Sequence, residues 1–149
     1  MERKKVRKYV LDASVAVKWF VDEEASDRAR LLRNGFLAGK SEIAAPDLLK
    51  YEVATALRWH PVAHIDSASL ARALVALDDY QFLISPSRDA WGKAIELSYS
   101  AAISPYDGIY LALAQVLRSP LVTADKELIA VIPVAERRNV MPLVDMELP

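Results

Sequence analysis

A chain of 149 residues with 53% hydrophobic content fits one domain, 1–149, able to bury roughly two-thirds of its unfolded surface. With no cysteine it has no disulfide framework and no thiolate metal site, and a net charge of −1 excludes a protein that grips nucleic acid over its whole surface. No apolar run approaches the roughly 20 residues needed to cross a bilayer, so the surplus apolar surface points to a protein partner.

The basic start Arg3, Lys4, Lys5, Arg7 and Lys8 reads as a solvated tail that keeps a short edge strand soluble, ahead of a local nucleic-acid contact. It resembles the start of a signal peptide, but Asp12 and Lys18 interrupt the segment behind it and no small-residue cleavage site appears, so the expected location is cytoplasmic. Tyr9-Val10-Leu11 favours a strand ending at Asp12, and Asp12-Ala13-Ser14 opens a short helix through Trp19 and Phe20. Asp22-Glu23-Glu24 breaks that helix. Ser26 or Asp27 caps the next, which carries Ala29, Leu32 and Phe36 until Gly39. Ile43-Ala44-Ala45 is a short strand closed by Pro46, and Asp47 caps a helix through Glu52 to about Trp59.

Pro61 ends that helix, Asp66 or Ser67 caps another to Leu77, and Gln81-Phe82-Leu83-Ile84 reads as a third strand. Ser87 starts a helix with Trp91, Ala94 and Leu97, and Ser104-Pro105 starts another that runs to Val116. Leu121-Val122-Thr123 opens a fourth strand ending at Asp125, with a short helix from Lys126 through Ile129 and a last apolar segment, Val140 to Val144, behind it. Strands alternating with helices predict an α/β fold: three α/β/α layers around a mainly parallel sheet of four to five strands. In such sheets sites form outside the carboxyl ends of the strands, where Asp12 and Asp125 fall.

Capping alone explains Asp12, Asp107 and Asp125 one at a time. Glu52 differs, because Leu48, Leu49, Val53 and Ala56 surround it at helical spacing and turn it toward the packed face, where an ion pair would be its ordinary partner. If all four converge, each close pair repels by about 4 kcal/mol at 4 Å and an effective dielectric near 20, so the cluster calls for a cation. Hard oxygen ligands without thiolate or imidazole suit Mg²⁺ or Mn²⁺ and phosphodiester chemistry. His60 and His64 lie four apart, but Pro61 breaks the helix that would align them, and they read as a surface helix end. The four glycines form no phosphate-cradling loop or dinucleotide fingerprint.

Tyr9-Val10-Leu11-Asp12-Ala13-Ser14, Glu52 within Leu48-Leu49-Lys50-Tyr51-Glu52-Val53, Tyr106-Asp107-Gly108-Ile109-Tyr110-Leu111-Ala112-Leu113-Ala114, and Val122-Thr123-Ala124-Asp125 resemble, in order and spacing, the PIN-domain nucleases. The likeness is greatest to the small VapC-like toxins of prokaryotic toxin-antitoxin pairs. It implies a metal-dependent endoribonuclease with Asp12, Glu52, Asp107 and Asp125 as catalytic and metal-binding carboxylates. Ser14 and Thr123 would be polar neighbours that orient ligands. Mg²⁺ or Mn²⁺ as cofactor, an RNA substrate, a cognate antitoxin and a homodimer are implied by the same resemblance. Water attack in line would leave a 5′-phosphate and a 3′-hydroxyl. Two positions depart from the family: Thr55 where asparagine is common, and Gly108 where alanine is common. The alternative is a PIN-like protein-interaction module or RNA-processing factor with weak or no nuclease activity; Trp19, Phe20, Phe36 and Trp59 read first as ordinary core and second as the lining of a groove for a partner helix.

Overall fold

The computed structural model describes residues 5–148. Five strands form one parallel sheet in the order β3-β2-β1-β4-β5. They are β1 (Arg7–Leu11), β2 (Ser41–Pro46), β3 (Leu83–Ile84), β4 (Leu121–Thr123) and β5 (Val140–Pro142). Tyr9 lies opposite Ile43 and Val10 opposite Ala44 on one side, while Leu11 lies opposite Val122 on the other. The chain builds outward from β1 to β2 and β3, then returns to the far side of β1 for β4 and β5. That reversal puts a crevice between the carboxyl ends of β1 and β4, where open parallel sheets hold their ligands.

Among the described residues seven α-helices link and cover the strands in three layers: α1 (Ala13–Val17), α2 (Ser26–Leu37), α3 (Leu48–Arg58), α4 (Ser67–Asp79), α5 (Arg88–Ala101), α6 (Pro105–Val116) and α7 (Lys126–Val131). Every residue of α6 from Gly108 to Ala114 is buried. A helix apolar on all sides belongs in the interior. Val10, Leu11, Leu121 and Val122 are fully buried beside it in the sheet, each burial worth roughly 1.5–3 kcal/mol. The edges are protected by brevity: β3 has 2 residues, and β5 has 3 and ends in Pro142.

Several local expectations change on folding. The strand behind the basic start is the central one, so edge protection is not its role, and Arg3 and Lys4 lie outside the described residues. Neither Ser26 nor Asp27 caps α2. Ala25 holds that position at φ 65°, while the Ser26 hydroxyl accepts from Glu23 N–H and donates to the Val21 carbonyl. Asp47 precedes α3 without a side-chain capping bond. Asp66, Ser87 and Ser104 do cap α4, α5 and α6. Gln81 adopts φ 58°, which confines the third strand to Leu83–Ile84 and sends Phe82 into the core. The last apolar segment supplies β5 and a 3₁₀ turn over Leu143–Asp145.

The aromatic residues divide. Trp19 and Phe36 pack edge to face on Phe82, each with centroids 5.9 Å apart, and Phe20 meets Trp19 at 6.5 Å. Trp59, by contrast, is well exposed, with the Arg58 guanidinium 4.0 Å over its ring. The core reading therefore holds for Trp19, Phe20 and Phe36, and Trp59 alone of the four is left for a groove. His60 is also more than a surface helix end. Its Nδ1 accepts from the main-chain N–H groups of Val62 and Ala63, which makes Nε2 the donor to Glu23 at 3.0 Å. The nearly buried Lys18 reaches the other Glu23 oxygen at 3.2 Å. Burial alone would raise the Glu23 pKa, but the bonds from His60 and Lys18 outweigh it and lower the value.

Candidate active site

β1 and β4 run parallel, so their carboxyl ends emerge together. The Asp12 N–H continues the ladder by donating to the Val122 carbonyl at 3.0 Å, which fixes Asp12 beside Thr123. Asp12 precedes α1 but makes no side-chain capping bond. Its Oδ2 instead accepts from Ser14 Oγ at 2.5 Å and Thr123 Oγ1 at 2.9 Å. Both hydroxyls are held from behind: Ser14 Oγ accepts the Ala124 N–H and Thr123 Oγ1 accepts the Asp125 N–H, each at 3.0 Å. Two relays thus run from the main chain after β4 to one oxygen of Asp12.

Asp125 caps α7, its Oδ1 accepting from Glu127 and Leu128 N–H at 3.0 and 3.1 Å. Asp107 lies in the first turn of α6, where its N–H donates to the Ser104 hydroxyl at 3.0 Å. Glu52 comes from α3 and is partly buried. Its Oε1 accepts from the Tyr110 hydroxyl at 2.7 Å, and no donor among the described residues reaches Oε2.

The fold brings Glu52 within electrostatic reach of Asp12 and Asp107, and Asp125 within reach of the same two. Burial raises the Asp12 pKa against the Ser14 and Thr123 hydroxyls, and the Asp125 charge adds to the rise. Burial, then the charges of Asp12 and Asp125, raise Asp107, with the Ser104 hydroxyl opposing. Glu52 is pushed up to about 7, first by burial and further by Asp12 and Asp107, despite the Tyr110 bond. Among the described residues no lysine, arginine or histidine forms an ion pair with any of the four. The ion-pair reading of Glu52 therefore gives way to a bond from a neutral phenol.

A divalent cation fits this donor set by chemistry: hard carboxylate oxygens that raise one another's pKa values, with no cation among the described residues paired to them. The fit is not a ready-made clasp, since among the described residues no three His, Asp or Glu side chains already stand in metal-holding proximity. Mg²⁺ retains several of its waters, so reach through water suits the looser arrangement.

Tyr110 was not singled out by sequence reasoning, although its position carried a signal. It is the one polar tip in the buried run Ile109–Ala114 and lies three residues beyond Asp107 on the same helix. Gly108 also acquires a reason. A Cβ there would sit 2.5 Å from the main-chain oxygen of Ala94, so α5 and α6 approach too closely for alanine. A cavity of about 700 Å³, lined by Arg7, Tyr9, Leu32, Ser41 and Met146 among others, lies at the amino ends of β1 and β2, away from these carboxylates.

Residues 9–132 match the PIN domain family model. Ribonuclease VapC1 of Mycobacterium tuberculosis is 35% identical over 123 residues, covering 81% of this chain and 88% of that protein. Among solved structures, PAE2754 from Pyrobaculum aerophilum superposes with a TM-score of 0.67 at 19% identity, covering 93% of this chain and 90% of the other. A toxin-antitoxin complex from Klebsiella pneumoniae gives 0.64 at 21% identity, covering 93% of this chain and 99% of its match. At those identities the structural likeness speaks to the fold alone. With the family model spanning most of the chain, the chain belongs to the PIN-domain family, on its VapC-like side.

Proposed function

We propose that this chain is a metal-dependent endoribonuclease acting as the toxin of a toxin-antitoxin pair, with residues 1–149 working as one domain. The observation that carries the reading is the set of carboxylates Asp12, Glu52, Asp107 and Asp125 at the β1/β4 crevice, with Asp12 and Asp107 each feeling other charges of the set and, among the described residues, no basic side chain paired with any of them. Its 35% identity to a ribonuclease supports RNA as the substrate. The toxin-antitoxin complex among its structural neighbours is in keeping with an antitoxin partner.

Asp12 and Asp107 are the first-choice ligands for Mg²⁺ or Mn²⁺, with Glu52 and Asp125 completing the set directly or through water. A bound divalent ion would polarise the scissile phosphate and make a water more acidic. Ser14 and Thr123 hold Asp12 Oδ2 so that the carboxylate keeps one orientation. With Oε1 bonded to Tyr110, Glu52 offers Oε2 either to the metal directly or to a water on it, and in the second case Oε2 would take the proton of the attacking water. Attack in line with the 3′-oxygen leaves a 5′-phosphate and a 3′-hydroxyl. The enzyme works as a cytoplasmic homodimer neutralised by its antitoxin. No helix among the described residues is long and apolar enough to cross a membrane.

The test is Mn²⁺-dependent cleavage of single-stranded RNA by wild type and not by Asp12→Asn. Cleavage that persists in excess chelator, or that yields 2′,3′-cyclic phosphate, overturns the mechanism. Metal binding without cleavage across varied RNAs favours the interaction-module reading, which the burial of its groove aromatics does not support. Growth arrest on expression, relieved by a short DNA-binding protein encoded alongside, tests the toxin role.

A further inference from the structure

We propose that Tyr110 is a positioning residue that selects which oxygen of Glu52 the site can use. Its hydroxyl lies 2.7 Å from Glu52 Oε1, bridging α6 to α3, and its ring is almost wholly buried, with 1% exposure. Ring packing alone does not call for that hydroxyl. Phenylalanine would fill the same space without burying a polar group, and a buried phenol is favourable only where an acceptor awaits it.

The acceptor is informative. Of the four carboxylates, Glu52 alone comes from the middle of a helix, and no strand end or cap holds it. Asp12 is fixed by two hydroxyls, and Asp125 by two main-chain N–H groups. The Tyr110 hydroxyl does the corresponding work for Glu52. It sits one turn along α6 from Asp107, so a single rigid helix carries Asp107 and the donor that holds Glu52. The separation between these two carboxylates is thereby set by α6, and rotation about the last bond of Glu52 is stopped with Oε2 left for metal or water.

The inference rests on the metal-site reading for its consequence, but not for the placement of the side chain. Tyr110→Phe keeps the ring and removes only the donor. Its Mn²⁺ affinity, read by paramagnetic resonance of free Mn²⁺, should fall about ten-fold or more, the usual effect of losing a partner that orients a ligand. In a Glu52→Gln background the same substitution should change affinity little, because the group it orients is gone. A metal-free crystal structure of Tyr110→Phe should show Glu52 in other rotamers. If wild type binds Mn²⁺ and Tyr110→Phe binds it equally well, the positioning role is overturned. If wild type binds no Mn²⁺, the metal-site reading fails by itself, and the metal-free structure decides the positioning role: an unmoved Glu52 refutes it and a displaced one supports it.

Discussion

Thr123 Oγ1 donates to Asp12 Oδ2 at 2.9 Å while accepting the Asp125 N–H at 3.0 Å, so one hydroxyl joins two acidic residues 113 positions apart. Thr123 is fully buried. Thr123→Val preserves shape and removes both bonds. It should destabilise the protein by about 1–3 kcal/mol, the range for leaving buried polar groups unpaired. Urea denaturation checks this, and a stability equal to wild type would show that the relay carries no weight.

The metal-free protein should lose stability as pH rises. The Glu52 carboxyl moves from 4.5 in the unfolded chain to about 7 when folded. Between those values the native state holds a proton that the unfolded state has released, so the slope of stability against pH is negative and flattens above about 7. Asp12 and Asp107, also raised, act in the same sense. Glu23 is lowered, and its loss is confined to pH below its usual 4.5. Urea midpoints from pH 5 to pH 8 should therefore decline, less steeply in Glu52→Gln. A flat or rising profile in wild type contradicts the crowding of these carboxyls.

Saturation with Mn²⁺ should remove that decline and raise overall stability, because the ion binds the ionised carboxylates of the folded state alone. At one hundred times its dissociation constant the gain is about 2.7 kcal/mol, on the order of 5 °C or more in Tm for a chain of this size. Asp12→Asn should abolish most of the gain. Thermal melts with and without chelator measure it, and an equal gain in the variant would place the ion elsewhere.

Gly108→Ala tests the contact between α5 and α6. The added Cβ would meet the Ala94 carbonyl oxygen at 2.5 Å, an overlap that backbone must relieve, and the cost should be about 1–3 kcal/mol or more. Ala94→Gly should not rescue it, since the opposing atom is main chain. Because Asp107 precedes this glycine, cleavage should fall along with stability. Full activity in a destabilised variant would show that the helix can shift without disturbing the carboxylate.

Much of the fold was legible because its signals are local. Ser87, Ser104-Pro105 and Gly39 mark helix ends through backbone hydrogen bonding within a few residues, and they act where expected. Asp12 was ambiguous, since the same residue at the same place can cap a helix or face a site. Only the Val122 carbonyl and the Thr123 hydroxyl, brought beside it by β4, resolve that ambiguity. Asp125 shows that the two roles coexist: it caps α7 and its charge is felt by Asp12 and Asp107. His60 eluded sequence reasoning because its tie to Glu23 depends on how α3 ends against the loop before α2.

By itself the sequence determined the alternation of strands and helices, the identity of the acidic residues and the family they resemble, because periodicity, caps and motif order are written in neighbouring residues. Tertiary structure decided the rest. The strand order placed Asp12 beside Thr123, the approach of α6 to α5 required Gly108, and the meeting of α3 with α6 turned Tyr110 toward Glu52. These are contacts between residues 14 to 111 positions apart, set by packing and by the need of buried polar groups for partners, which no local pattern encodes.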